Sequence, residues 1–131
     1  MANILIVEDN LLVAKFYALA LERAGHFRCH RGQTADEVLR RARAGEVDLA
    51  IVDVSLANFT HEGKLIDGLQ LSRLLKDDPQ TRHSPILLAT AHAMEGDRQR
   101  LLAASGADAY LEKPIYDPQV LVDKVEELMG K

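Results

Sequence analysis

Short apolar runs alternate with amphipathic stretches along the whole chain. Three of the runs are almost entirely apolar, as expected for strands that are covered on both faces of a parallel sheet: 3–7, 50–54 and 86–89. Two weaker runs, 27–30 and 109–111, fit edge strands of the same sheet. Because strands and helical stretches alternate throughout, the pattern predicts a doubly wound α/β fold with a five-stranded parallel sheet and helices on both faces.

The stretches between the runs have helical periodicity, and several begin with a capping signal. Apolar residues recur three and four positions apart over 13–24, which predicts the first helix. Thr34 and Asp67 are each followed three residues later by Glu or Gln, which is the spacing of a capping box. A fourth helix is expected over 97–105, and Asp117, which precedes a proline, is expected to begin the fifth.

Polar side chains that could carry chemistry stand at the ends of four of the five predicted strands. They are Glu8 and Asp9 after the first strand, Asp53 in the third, Thr90 after the fourth and Lys113 after the fifth. Open α/β sheets bind their ligands at the carboxyl ends of the strands, so these groups should converge. Asp is depleted from strands and costly to bury without a partner, which favours a functional role for Asp53. The Glu8-Asp9 pair could instead serve only as a cap of the first helix.

Three carboxylates in one pocket repel one another unless a cation lies between them. Mg²⁺ suits all-oxygen sites of this kind, and it commonly also binds the phosphate of a substrate. With the ammonium of Lys113 and the hydroxyl of Thr90, the pocket could neutralise a phosphoryl group during transfer. A carboxylate can accept that group as an acyl phosphate, and Asp53 is the central one of the three. The residues therefore predict a Mg²⁺-dependent phosphoryl acceptor.

The motifs at the strand ends resemble those of the receiver domains of bacterial two-component response regulators. The motifs are Glu8-Asp9, Asp53, Thr90-Ala91 and Lys113-Pro114, in the family's order and with helices between them. The resemblance extends over essentially the whole chain and implies one receiver domain over 1–131. It also implies a flavodoxin-like fold, in which the five strands have the order 2-1-3-4-5 and five helices cover the sheet.

The resemblance implies a magnesium site and a phosphoryl donor. Glu8, Asp9 and Asp53 would bind Mg²⁺ through their carboxylates, and the backbone carbonyl of Ser55 would complete the protein's share of the ligands. Asp53 would take the phosphoryl group from the phosphohistidine of a sensor histidine kinase or of a phosphotransfer protein. Ser55 and His92 occupy the variable positions that, in this family, tune the lifetime of the acyl phosphate.

The resemblance also implies how phosphorylation of Asp53 changes the rest of the domain. Thr90 would bind one phosphate oxygen, and Lys113 would pair with another, next to a cis peptide bond to Pro114. Tyr110 matches the family's aromatic switch position, which turns inward when Thr90 moves. The surface formed by the fourth helix, the fifth strand and the fifth helix would then bind a downstream protein target.

The segment after Asp53 departs from the family pattern. Position 57 is Ala where receivers commonly have proline, and the pair Asp67-Gly68 arrives several residues later than is usual. The extra stretch, 58–66, is either a surface insertion, which is tolerated because lengthening a loop costs little, or an element that contacts a partner or covers the site.

Composition and charge limit which partners the chain is expected to bind and in which cellular compartment it is expected to lie. The formal net charge of −4 argues against direct binding of nucleic acid, which needs clustered Lys and Arg. Cys29 is the only cysteine, so no internal disulfide can form and a reducing, cytoplasmic setting is expected. No apolar run is long enough to insert into a membrane. The chain ends at Gly130-Lys131 without room for an output domain, which predicts a stand-alone regulator that acts through protein–protein contact.

Two other classes of protein remain open. A phosphatase of the haloacid dehalogenase kind also uses an aspartyl nucleophile and Mg²⁺, but it needs a second Asp two residues after the nucleophile, and position 55 is Ser. A pseudo-receiver would keep the fold and bind a partner without ever being phosphorylated. We expect a regulator that catalyses only its own phosphorylation and dephosphorylation, rather than an enzyme with a separate substrate.

Overall fold

The computed structural model describes residues 1–91 and 97–130, which form a five-stranded sheet, a two-stranded hairpin and five helices. In chain order the elements are β1 (Ala2–Val7), α1 (Leu11–Arg23), β2 (Phe27–Arg31), α2 (Ala35–Arg43), β3 (Leu49–Asp53), β4 (Thr60–His61), β5 (Lys64–Leu65), α3 (Gly68–Asp77), β6 (Ile86–Thr90), α4 (Asp97–Ser105), β7 (Ala109–Glu112) and α5 (Pro118–Leu128). The sheet has the order β2-β1-β3-β6-β7, and all of its pairs are parallel. The predicted doubly wound, flavodoxin-like fold with the strand order 2-1-3-4-5 is therefore confirmed. The five predicted strands match the observed ones to within one residue at either end.

The sheet is buried on both faces because successive residues of a strand point to opposite sides. Leu5 and Val7 of β1 belong to a cluster that also contains side chains of α2, α3 and α4. Ile4 and Ile6 belong to a second cluster, with side chains of α1 and α5. Each fully buried aliphatic side chain contributes about 1.5–3 kcal/mol of transfer free energy, so the two clusters hold the strands, and hence the strand ends, in fixed positions.

The helices begin where the capping signals predict. The hydroxyl of Thr34 accepts the N–H of the third residue of α2 (3.1 Å), and the capping box at Asp67 has both of its hydrogen bonds. The cap of α1 is Asn10, whose side chain accepts two backbone N–H groups of the first turn. The Glu8-Asp9 pair is therefore not the cap of this helix, which removes the capping interpretation of those two carboxylates. Among the described residues, no helix is long and apolar enough to cross a membrane.

The stretch 58–66 forms the antiparallel hairpin of β4 and β5, which sequence patterns did not predict. Phe59 is only 2% exposed and belongs to the core cluster of α2 and α3, and its carbonyl accepts the N–H of Ile66 (2.9 Å). At the edge of the hairpin, Nδ1 of His61 lies 3.2 Å from a carboxylate oxygen of Asp36 on α2. Of the two alternatives for 58–66, a plain surface insertion does not fit Phe59, because deleting the stretch would remove a core side chain.

Candidate functional site

Two buried carboxylates lie at the carboxyl ends of the neighbouring strands β1 and β3. Glu8 directly follows β1 and is 3% exposed, and Asp53 ends β3 and is 6% exposed. The two strands pair up to Val7 and Val52, so the residues that follow these two emerge side by side. Fold topology thus brings together two acids that are 45 positions apart in the chain.

Lys113 reaches both carboxylates from the end of β7. Its ammonium lies 2.7 Å from Oε1 of Glu8 and 3.6 Å from Oδ1 of Asp53. The backbone N–H of Lys113 donates to the carbonyl of Thr90 (2.8 Å), and the peptide bond from Lys113 to Pro114 is cis. The cation therefore bridges the acid pair and is anchored to the end of β6.

Burial raises the pKa of Asp53 from its ordinary value of 3.8 to about 6, with the charge of Glu8 and a hydrogen bond between the two carboxyl groups as further causes. The ammonium of Lys113 and the N–H of Ser55, which donates to Oδ1 of Asp53 (3.2 Å), act in the opposite direction. One cation does not balance two buried carboxylates, because desolvation penalises each charge. A second cation at this place would favour the ionised form of Asp53.

This pKa makes the stability of the metal-free protein depend on pH. An acid whose pKa is higher in the folded than in the unfolded state costs stability once it is ionised, so stability should fall as pH rises from about 4 to about 6. The loss is at most about 3 kcal/mol. Asp53→Asn should lack this pH-dependent loss of stability, so it should be more stable than the wild type at pH 7 when a chelator keeps both proteins metal-free. Urea unfolding from pH 4 to pH 7.5 measures the difference, and parallel pH curves for the two proteins would contradict the shared pocket.

Asp9 and Arg31 hold the loop that carries the acids. The carboxylate of Asp9 accepts the backbone N–H groups of Ala57 and Asn58, so it lies against the segment between β3 and the hairpin. Arg31, at the end of β2, donates to the backbone carbonyls of Glu8 and Asp9 (3.4 Å each). The pattern of polar residues at the strand ends assigned no functional role to Arg31 or to any other residue of β2. The position of Arg31 at the end of the strand next to β1 was the available signal.

No group of three or more His, Cys, Asp or Glu side chains is arranged to hold a metal ion among residues 1–91 and 97–130. Of the predicted metal ligands, Glu8 and Asp53 lie together, whereas the carboxylate of Asp9 is engaged with backbone amides. The backbone of Ser55 lies beside Asp53, as its N–H contact indicates. The donors are all oxygen atoms and carry excess negative charge, which fits a hard divalent cation.

The predicted switch residues lie on the two strands beyond Asp53. Thr90 ends β6 and is fully buried, and it is the register partner of the last residue of β7. Tyr110 lies on β7, opposite Leu88, and is mostly buried in the core cluster of α2 to α4. His92 lies outside the described residues.

Gly68 allows α3 to begin directly against the end of β3. Its N–H donates to the carbonyl of Val54 (3.1 Å). A Cβ atom at this position would lie 1.9 Å from the carbonyl oxygen of Asp53, which is far inside van der Waals contact. The absence of a side chain at Gly68 therefore helps to set the position of Asp53, a role that the capping signal at this helix did not reveal.

The profile of the response regulator receiver domain matches residues 4–126. The chain belongs to this family. The polar-differentiation response regulator DivK of Brucella ovis is 33% identical to this receiver domain over 128 residues, which are 98% of this chain and 96% of DivK. The predicted family is thus confirmed, and with it a place in two-component signalling.

Solved structures share the fold of this receiver domain. The signal receiver domain of a signal transduction histidine kinase from Syntrophus aciditrophicus has a TM-score of 0.81 and 31% identity, and the match covers 99% of this chain and 91% of that chain. The chemotaxis protein CheY4 of Vibrio cholerae has a TM-score of 0.80 over 98% of both chains. At 23% identity it supports the fold alone.

Proposed function

We propose that Asp53 accepts a phosphoryl group and that this receiver domain is a phosphorylation-dependent switch. The observation that carries the proposal is the contact of Lys113 with both Glu8 and Asp53. The buried acceptor thereby faces a cation that can neutralise the oxygens of an incoming phosphoryl group. An oxygen of Asp53 forms a bond to phosphorus while the bond from phosphorus to the imidazole nitrogen of a donor phosphohistidine breaks, and the electron pair stays on that nitrogen.

The groups that would hold Mg²⁺ are the carboxylates of Glu8, Asp9 and Asp53 and the backbone carbonyl of Ser55. Their chemistry supports this assignment, because one ammonium from Lys113 does not balance the acid pair. Mg²⁺ bound there supplies charge neutralisation at the phosphoryl oxygens. To take part, Asp9 has to release the two backbone N–H groups that its carboxylate now accepts.

Once Asp53 carries a phosphoryl group, the residues around it respond by rearranging their contacts. In the proposal, Lys113 turns from Glu8 toward one phosphoryl oxygen, and the hydroxyl of Thr90 binds another. Tyr110 then turns inward, and the surface formed by α4, β7 and α5 changes. The acyl phosphate carries about two negative charges at pH 7 in place of the one on the carboxylate and adds new acceptor oxygens, which is enough to bias such a two-state element.

The partners in this proposal are proteins. A sensor histidine kinase or a phosphotransfer protein donates the phosphoryl group, and a downstream protein target binds the surface of α4, β7 and α5. The net charge of −4 disfavours direct contact with nucleic acid. The single cysteine, Cys29, supports a cytoplasmic location, and one receiver domain over 1–131 is the proposed organisation.

Acetyl phosphate tests the proposal without a kinase. Incubation of the whole chain with acetyl phosphate and Mg²⁺ should add one phosphoryl group by intact mass, and a chelator should prevent the addition. Continuous release of phosphate from varied monoesters would identify a phosphatase of the haloacid dehalogenase kind instead. A complete absence of reaction would identify a pseudo-receiver.

Lys113→Ala should separate phosphorylation from its readout. Asp53 should still be modified, because the acceptor oxygen remains. The surface of α4, β7 and α5 should lose most of its response to phosphorylation, since that response depends on the ammonium pairing with a phosphoryl oxygen. Two-dimensional NMR with and without acetyl phosphate measures that response, and the exposed residue Lys64→Ala is the matched control. Spectral shifts of wild-type size in Lys113→Ala would contradict the role.

A further inference from the structure

The carboxylate of Asp9 is held by the segment that follows β3. One of its oxygens, Oδ2, accepts the backbone N–H groups of both Ala57 and Asn58, the second at 3.3 Å. Within the part of the chain that the structure describes, Glu8, Asp9 and Asp53 do not form a group that could hold a metal ion. The third acid of the proposed magnesium site is therefore engaged elsewhere in the metal-free protein.

The core fixes the position of the two N–H groups that hold Asp9. Leu56 is 8% exposed and Phe59 is 2% exposed, and both belong to the core cluster of α2 and α3. The two residues between them are thus anchored at both ends. On the other side, Arg31 donates to the backbone carbonyl of Asp9 (3.4 Å) and holds the loop after β1. Between these two anchored stretches of backbone, the side chain of Asp9 is the part that is free to rotate.

One of the two hydrogen bonds exists only because position 57 is not proline. Proline has no backbone N–H, so it could not donate to Asp9 from this position. The side chain of Ala57 is exposed, so the residue acts on Asp9 through its N–H and not through packing. The departure from the family pattern at position 57 therefore adds a hydrogen-bond donor beside the site.

We propose that the N–H groups of Ala57 and Asn58 form a latch that competes with Mg²⁺ for the carboxylate of Asp9. The inference rests on the proposed function, which assigns Asp9 to the metal. Hydrogen bonds to an ionised carboxylate are stronger than those between neutral groups, and they have to break before Asp9 can reach the ion. Only the unlatched fraction of the protein binds the ion with full affinity. The latch therefore lowers the affinity for Mg²⁺ and makes it depend on the segment that leads into the hairpin.

Ala57→Pro removes one donor of the latch and leaves every proposed ligand in place. We expect the dissociation constant for Mg²⁺ of the full chain, without a phosphoryl donor, to fall about 3- to 10-fold, as for the loss of one net hydrogen bond that opposes binding. Isothermal titration calorimetry measures it. Ala57→Ser keeps the N–H at the same exposed position and is the matched control, which should bind Mg²⁺ like the wild type.

A double-mutant cycle shows whether the proline acts through Asp9. In an Asp9→Asn background the charged ligand is gone, so Ala57→Pro should change the affinity for Mg²⁺ by less than about 2-fold, the range of independent sites. An equally large gain in that background would overturn the latch. A folded Ala57→Pro that binds Mg²⁺ no more tightly than the wild type would overturn it as well.

Solvent exchange of backbone amides, measured by NMR, tests the latch in the unchanged chain and decides the question even where Ala57→Pro fails to fold. Ligand binding stabilises the folded state and ordinarily slows amide exchange. Opening of the latch does the opposite at Ala57 and Asn58, so saturating Mg²⁺ should speed exchange at these two amides. The amide of Asn3 donates to the carboxylate of Asp48 (2.7 Å) at the other end of β1 and should not exchange faster.

The outcomes for the wild type separate the latch from the proposed function. Binding of Mg²⁺ without faster exchange at Ala57 and Asn58 would overturn the latch alone. A wild type that binds no Mg²⁺ would overturn the metal site of the proposed function, and the latch with it.

Discussion

Asp53→Asn should reduce phosphoryl labelling of the chain to background. An amide oxygen is a poor nucleophile and cannot form a stable acyl phosphate, whereas every other side chain of the site stays in place. Glu8 cannot substitute for Asp53, because its carboxylate is held by the ammonium of Lys113 and by the backbone N–H of Asn10. Intact mass after incubation with acetyl phosphate and Mg²⁺ measures the labelled fraction.

The matched control for this change is Asp77→Asn. The carboxylate of Asp77 on α3 is 66% exposed and, among the described residues, forms an i,i+4 ion pair with Arg73, so its loss should leave labelling at the wild-type level. If Asp53→Asn retained labelling near that of the wild type, the acceptor would be another residue. Peptide mapping of the labelled protein would then locate it.

Gly68→Ala should be the most destabilising of the substitutions considered. The added Cβ would lie 1.9 Å from the carbonyl oxygen of Asp53 and 2.9 Å from Cα of Val54, so the backbone of β3 or of α3 has to move. Overpacking against backbone costs about 3 kcal/mol or more, since no side chain can rotate away. Urea unfolding of the metal-free protein measures the loss. We also expect slower labelling by acetyl phosphate, because the movement displaces the acceptor.

Gly25→Ala provides the comparison that isolates the steric effect. Gly25 has a φ of +90° and no atom within 4 Å of an added Cβ, so alanine there meets backbone strain but no clash. Its cost should be about 1–2 kcal/mol, without any change in labelling. A Gly68→Ala protein within about 0.5 kcal/mol of the wild type would show that the contact between α3 and β3 is loose, because that is the range of neutral surface substitutions.

The acid pair illustrates a conflict between stability and chemistry. Two carboxylates buried around one ammonium destabilise the metal-free fold, and the raised pKa of Asp53 is a direct expression of that cost. The same crowding of negative charge favours the binding of a divalent cation in the pocket, and it also favours a rearrangement of contacts that neutralises the charge. Local rules of protein stability are expected to fail at such functional positions.

The sequence by itself determined the five strands of the parallel sheet, the five helices and the order in which they occur, but not the hairpin of β4 and β5. The apolar runs 3–7, 50–54 and 86–89 predicted buried strands, and the capping signals at Thr34 and Asp67 predicted helix starts that the structure confirms. Both signals are local, because periodicity and end caps depend on residues within a few positions of one another. The convergence of Glu8, Asp53 and Lys113 followed from a general rule about the ends of parallel strands.

Only the tertiary structure decided which atoms meet at that edge. Arg31 contacts the backbone of Glu8 and Asp9 because β2 is the neighbour of β1 in the sheet. The carboxylate of Asp9 accepts a backbone N–H group of the segment after β3. Phe59 packs in a core that is built by α2 and α3. Tyr17 likewise looks in the sequence like one more apolar position of an amphipathic helix, but its hydroxyl is buried without a hydrogen-bond partner among the described residues. Side-chain direction and reach depend on strand order and helix packing across tens of residues, and no local pattern carries that information.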